Sequence, residues 1–275
     1  MDINNIPHQG AESSIGDIAY LARSEHRVPT LVALTERPRS RSELSELTGV
    51  SSSTIRRTLD EFEDRIWIRK EGYQYRATRL GEVMASGIED LIEQVETERK
   101  LRDIWHWLPE EVNEFRIETW EAMTITVAEP DSPYRPIDRF ESLLKETNDL
   151  RLIRPEIALM EPCFEVLVQL IDEGVDIILV ARPESHTYFL STYPERSVEM
   201  MQQDNFTVLE HDALPPCGTG LLDERATISC YEQESGTVHV LIDTDVAAVR
   251  KWAQSVCETY ASEAHAVEIP QNGGY

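Results

Sequence analysis

The chain is 275 residues long, 41% hydrophobic and carries a formal net charge of -25 at pH 7, which leaves room for two domains with buried cores and excludes disorder along its whole length. No apolar run reaches the ~18 residues of a membrane span, and the segment Met1–Ser14 lacks the basic end and apolar stretch of a signal peptide, so a cytoplasmic protein with no membrane partner is expected. Its 22 arginines stand against only 4 lysines, 35 glutamates and 16 aspartates; this acid-rich, lysine-poor balance suits a salty cytosol, where the Debye length falls to about 3 Å at 1 M salt. Cys163, Cys217, Cys230 and Cys257 form no CxxC pair and have no histidine at ligand spacing, so they read as small buried residues, and neither a metal nor a cofactor is expected.

The acid is unevenly placed. Residues 1–80 hold 12 basic and 12 acidic side chains, so the whole excess lies after them. Residues 1–16 read as a flexible tail. From Asp17, apolar residues at Ile18, Leu21, Val28, Leu31, Val32 and Leu34 fit a helical region broken near Pro29 and ended before Pro38. A short helix follows, with Ser42 as N-cap and Leu44 and Leu47 inward, and Gly49 supplies the left-handed residue of a tight turn. The next helix starts at Ser51 or Ser52. Its Ile55, Leu59 and Phe62 share one face at i, i+4, i+7 spacing, while Ser53, Arg57 and Asp60 point away and Arg56 flanks them.

A helix clamped by an apolar underside with arginines on its outer face is what major-groove reading requires. The same pattern also suits an ordinary solvated helix. The stretch "IWIRKEGYQYRAT" reads as strand, loop at Lys70-Glu71-Gly72, and strand, with Arg69, Lys70 and Arg76 in a basic hairpin and Tyr73 or Tyr75 packing across it. Residues 17–79 therefore read as a winged helix-turn-helix that binds double-stranded DNA. Ser52, Ser53, Thr54, Arg56 and Arg57 are the groove-facing candidates, and Arg69, Lys70 and Arg76 the wing candidates.

At "RSELSELTGVSSSTIRRTLDEFEDRIWIRKEGYQYRATRLGEVM" the sequence resembles the winged helix-turn-helix of archaeal transcription regulators. With "ETERKLRDIWHWLP" and "LIDTDVAAVRKWAQSVCETY" the resemblance extends to haloarchaeal regulators whose C-terminal half is classed with the middle domain of a methanogenesis regulator. It implies a transcriptional regulator. One departure is visible: a glycine usually precedes the wing, and here Ile66 stands in its place.

Residues 80–108 read as a connecting helix with a stripe of Leu80, Met84, Ile88, Leu91, Val95, Arg102 and Trp105 near heptad spacing, interrupted by Glu98; it suits either sealing the protein's own two domains or, the reading preferred, pairing two chains as a homodimer. Residues 109–275 alternate strands and helices, as an α/β sensor or partner-binding domain with parallel pairing and an antiparallel end. The fold class expected overall is α+β and multi-domain: an N-terminal winged helix-turn-helix, a long connecting helix and a C-terminal α/β effector-type domain.

No Walker, GxGxxG, GxSxG or HExxH motif is present, and His186, His211 and His239 lack the lysine two positions on that a phospholipase-type HxKxxxxD site needs, so an enzyme is not expected. At strand ends, Arg154, Arg182 and His186 are candidates for a small anionic effector, unless the arginines pair with Glu156 or Glu184 instead. Asp243 and Asp245 are expected to cap the last helix. The competing reading of the whole is a winged-helix protein–protein module without direct DNA binding.

Overall fold

The computed structural model describes residues 8–232 and 235–267. The chain divides into two compact units, within residues 1–96 and 97–275.

In the first unit, α1 (His8–Ala22) is followed by α2 (Arg27–Glu36), β1 (Arg39–Ser40), α3 (Arg41–Thr48) and α4 (Ser52–Asp64). The hairpin β2 (Ile68–Glu71) and β3 (Gln74–Ala77) comes next, then α5 (Arg79–Arg102), which runs past the unit boundary. Residues 8–16, expected as tail, are the first half of α1, and residues 1–7 lie outside the described residues. The core collects Leu21, Leu31, Leu34, Leu44, Ile55, Leu59 and Phe62 from four helices, closed by Trp67, Ile68, Ala85 and Ile88. Leu47, expected inward, is exposed. The N-cap of α3 is Ser40 rather than Ser42: its hydroxyl accepts from the Glu43 amide while the Glu43 carboxylate accepts from the Ser40 amide. That amide, followed by Arg37, holds the Glu43 carboxyl at about 2. β1 was not legible from two residues; it pairs antiparallel with β3 and makes a three-stranded sheet.

Two backbone details fix how α4 hands over to the hairpin. The amide of Trp67 donates to the Phe62 carbonyl and that of Ile66 to Glu63, a Schellman closure whose left-handed position is Ile66, at φ 59. A β-branched residue is strained there, and its side chain is 63% exposed, so packing returns little. Ile66→Gly is expected to raise the stability of the first unit by about 1 kcal/mol, read from thermal melting; an unchanged or lower melting temperature would contradict the strain. At the start of α5, the Thr78 hydroxyl accepts from the Gly81 amide and donates to the Ile66 carbonyl, tying the helix to that turn. A Cβ on Gly81 would fall well inside contact distance of the Trp67 carbonyl. Although alanine is the better helix former by about 1 kcal/mol, Gly81→Ala should therefore destabilise by about 1–3 kcal/mol, measured by urea unfolding.

In the second unit, α5 ends at Arg102, and turns at Trp105–Trp107 and Glu110–Glu114 replace the helix expected to run to residue 108. The remaining elements are α6 (Ile117–Glu121), β4 (Thr124–Val127), α7 (Arg135–Leu144), β5 (Asp149–Arg154), α8 (Phe164–Asp172), β6 (Asp176–Ala181), α9 (Pro183–Thr192), α10 (Pro194–Met201), β7 (Phe206–Glu210), β8 (Gly218–Leu222), β9 (Arg225–Tyr231), β10 (Val238–Thr244), α11 (Ala247–Glu263) and β11 (His265–Ala266). One eight-stranded sheet runs β11-β7-β6-β5-β8-β9-β10-β4. β5, β6 and β7 are parallel, with helical crossovers between them, and the rest pair antiparallel. Period-two alternation feeds two cores. Leu150, Leu152, Ile177, Leu179 and Leu241 meet Phe140, Leu144 and Leu167 on one face, whereas Ile228, Cys230, Val240 and Ile242 meet Val249 and Ala253 of α11 on the other. All four cysteines are buried and unbridged.

Asp243 does not cap α11. Its side chain has no exposed surface, and it accepts two bonds from Arg139 of α7, at 2.9 and 2.7 Å, and one from Arg225 at 2.7 Å. Asp245 is exposed, and the turn into α11 uses Thr244, whose hydroxyl accepts from the Val246 amide. No helix of the described residues is long and apolar enough to cross a membrane.

Candidate nucleic-acid interface

The presented surface of the first unit is built around Gly49, which at φ 71 ends α3 in the left-handed region and turns the chain into α4. The Ser45 hydroxyl donates to the Val50 carbonyl at 2.6 Å and fastens the turn. Ser51 then caps α4, accepting from the Thr54 amide at 3.3 Å. Its hydroxyl also lies 2.9 Å from that of Ser53 and 3.0 Å from that of Thr54. The helix start is thus a small hydroxyl cluster centred on Ser51, a residue the reading of this face had used only as a cap. Ile55, Leu59 and Phe62 are fully buried beneath, and Thr58 bonds to His26 at 3.0 Å, so the helix is clamped along its length. Burial, followed by the nearby Arg27 and Arg57 charges, pushes the His26 imidazole down.

Ser52, Ser53, Arg56 and Arg57 face solvent and Thr54 is half-buried. Arg56, 70% exposed, reaches Asp60 one turn on at 3.7 Å, and Arg57 has no carboxylate partner among the described residues. An ion pair this exposed and long is worth under about 1 kcal/mol, so it leaves Arg56 available to an anion. On the hairpin, Glu71 pairs with Gln74, so the turn is Gly72-Tyr73, with Gly72 at φ 65, and Lys70 and Glu71 belong to the strand rather than to the loop. Arg69 stands directly across from Arg76, a like-charge pairing relieved by Glu71, 2.7 Å from Arg69. Lys70 sits over the Tyr75 ring at 5.6 Å. Tyr75 packs against the core, while Tyr73 at the tip is 95% exposed. The signal for Tyr73 as a presented side chain was the glycine before it, which marks the turn one position later than the charge pattern suggests.

The three residues read as an effector site do not share one. Arg154 is wholly buried in the face of the sheet covered by α7 and α8: one guanidinium nitrogen donates to Ser229 at 3.1 Å, the group lies over the Phe140 ring, and Nε and Nη2 have no hydrogen-bond partner among the described residues. Burial pulls its pKa down. Gly218 and Gly220 leave it room, since a Cβ on either would press on the guanidinium. Arg182 is partly exposed, donates to Glu156 at 3.2 Å, and lines a cleft of 560 Å³ with Trp107, Cys217 and Tyr231. His186 is buried in α9, its Nδ1 2.8 Å from the Glu210 carboxylate, beside a different, apolar pocket. Among the described residues no group of three or more His, Cys, Asp or Glu side chains is placed to hold a metal.

Residues 15–100 match the family described as the HVO_A0261 N-terminal domain, and residues 133–263 match the middle domain of the methanogenesis regulatory protein FilR1. No curated protein matches the chain. Among solved structures, TrmBL2, an archaeal chromatin protein, is 13% identical with a TM-score of 0.44, over 87% of this chain and 92% of that one. A MarR/EmrR family transcriptional regulator from Acinetobacter is 16% identical with a TM-score of 0.24, over 42% of this chain and 88% of the other. A methyltransferase of calicheamicin biosynthesis is also 16% identical with a TM-score of 0.24, over 77% and 67%. The two domain families together take in most of the chain, which is similar to the HVO_A0261 N-terminal domain over its first part and to the FilR1 middle domain over its second.

Proposed function

We propose that this chain is a cytoplasmic, sequence-specific DNA-binding transcription regulator that works as a homodimer and senses a small molecule through its C-terminal half. In this reading residues 17–79 are a winged helix-turn-helix. α4 enters the major groove, with Arg56 and Arg57 on base edges or phosphates and Ser52, Ser53 and Thr54 at the helix start on the backbone. Arg69, Lys70 and Arg76 of the wing hold the flanking phosphates. The observation that carries the reading is α4 itself: two adjacent exposed guanidinium groups on a helix whose opposite face is fully buried. The regulatory name of the FilR1 domain family supports the wider assignment.

Pairing is assigned to α5, whose Leu80, Val83, Leu91 and Val95 leave an exposed apolar stripe beside the face that Ala85 and Ile88 bury. A second copy of the helix would cover it, and a two-fold pair doubles the bases read. Residues 109–275 are the sensing half. Incubated with a pool of random duplexes, the full chain is expected to enrich a two-fold symmetric site. A folded protein that enriches no duplex would remove the DNA reading and favour a winged helix that docks on other proteins.

A further inference from the structure

At β5 the sheet changes from parallel to antiparallel pairing, because β6 lies on one side of it and β8 on the other. The 560 Å³ cleft lies beyond this point, within the second unit: Glu156 follows β5, Arg182 follows β6, Cys217 precedes β8 and Tyr231 ends β9. Crevices past the carboxyl ends of parallel strands are where open α/β sheets take small molecules. Arg182 spends one guanidinium nitrogen, Nη1, on Glu156 Oε1 at 3.2 Å, and both side chains are 36% exposed. The other guanidinium nitrogens and Glu156 Oε2 have no hydrogen-bond partner among the described residues. A pair this open, joined through one nitrogen, is weak and readily exchanged for better partners. The exposed Glu232, which accepts from the Ser235 and Thr237 hydroxyls, adds a second carboxylate to the lining. Beside these charges stand Trp107, Leu108 and Pro216. Trp107 is held in place by His239, stacked on its ring at 4.5 Å, and by the Cys217 thiol, which donates to its carbonyl at 3.3 Å.

We propose that this cleft binds a free amino acid with an apolar side chain, its carboxylate on Arg182, its ammonium on Glu156 and its side chain along Trp107, Leu108 and Pro216. The proposal rests on the reading of the C-terminal half as a sensor and names what it senses. The ammonium and carboxylate of an amino acid are joined through one carbon, so together they reach two opposite charges that lie only 3.2 Å apart. Each charge of the pair then exchanges its partner for another of the same sign, in charge-assisted hydrogen bonds. A simple anion on Arg182 would face Glu156 and Glu232, and a simple cation on Glu156 would face Arg182. An uncharged ligand would have to part the pair and give neither charge a full replacement. Among the described residues of the lining Arg182 is the one permanent cation against two carboxylates, so the site departs from the anionic effector expected at these strand ends. Trp107 lies in the turn that follows α5 in the chain, the route by which occupancy of the cleft would reach the first unit.

Leucine, phenylalanine, hydrocinnamate and phenethylamine serve as probes, titrated into the full chain carrying labelled tryptophan indoles. Hydrocinnamate lacks the ammonium of phenylalanine, and phenethylamine lacks its carboxylate. The Trp107 N–H, assigned through W107F, reports the cleft, while Trp67 in the core of the first unit lies outside it. Both amino acids are expected to shift the Trp107 signal, and phenylalanine to bind about tenfold more tightly than either single-charge analogue. R182Q should bring phenylalanine down to the affinity of phenethylamine, and E156Q should bring it down to that of hydrocinnamate. Thermal melting checks that both variants fold; should either fail, the probe comparison on the wild-type chain decides alone. Hydrocinnamate or phenethylamine binding as tightly as phenylalanine, or no Trp107 shift with either amino acid, would overturn the proposal. Phenylalanine that fills the cleft yet leaves duplex affinity unchanged would sustain the site and remove its sensing role.

Discussion

Replacing both Arg139 and Arg225 by methionine is expected to lower the stability of the second unit by about 3–5 kcal/mol. Asp243 has no exposed side-chain surface, and these two arginines, each about a third exposed, are its ion-pair partners. Arg139 reaches it from α7 and Arg225 from the neighbouring strand β9, so the carboxylate pins a helix to the sheet as well as being neutralised by it. Methionine keeps most of the apolar volume over the sheet and removes only the charge, which isolates the electrostatic loss from a packing loss. The stranded carboxylate would then be buried with neither water nor cation. Adding D243L removes the stranded charge, so the triple variant R139M/D243L/R225M should regain most of the loss. Urea unfolding followed by tryptophan fluorescence reads both differences. A double variant within 1 kcal/mol of the wild-type chain, or a triple variant no better than the double, would show that Asp243 is not held as a paired buried charge.

The fate of Asp243 shows where sequence reading stops. An acidic residue in "IDTD" ahead of a helix is a good cap by local rules, but its partners lie 104 and 18 residues away, and only the folded sheet brings them together. The faces of α4 were legible because one periodicity governs them and burial follows it, and β5, β6 and β10 because each is a short apolar run, buried along most of its length in a sheet covered on both faces. α9 was not, since "PESHTYFLST" mixes polar and apolar residues without period, yet it carries the buried imidazole. The apolar pocket beside it was therefore invisible, and His186 drew attention only as a charge near a strand end. Likewise Arg154 and Arg182 lie near neighbouring strand ends, as expected, but pleating sends Arg154 into the core, while Arg182 begins α9 and meets Glu156. Ile66 is the converse: the missing glycine was visible in the sequence, and the backbone keeps the left-handed turn regardless.

On α4, the second large effect concerns Arg56 and Arg57, whose joint replacement by glutamate is expected to abolish operator recognition. A bidentate arginine contact to a base discriminates by about 1–3 kcal/mol. Losing two contacts and placing two carboxylates against phosphates therefore amounts to at least about a 100-fold loss of affinity. Both side chains are exposed and neither supports the core, so melting should shift little, and lost binding would not report lost folding. R116E/K145E serves as the control: it makes the same change in net charge on exposed side chains of the second unit. A general effect of added acid on so acidic a chain would weaken both variants alike. The deciding measurement is fluorescence anisotropy of the enriched duplex with the wild-type chain and these two variants. Loss of binding in R56E/R57E alone, with R116E/K145E near wild type, is the expected result; R56E/R57E binding as tightly as the wild-type chain would contradict the assignment of α4 to the groove.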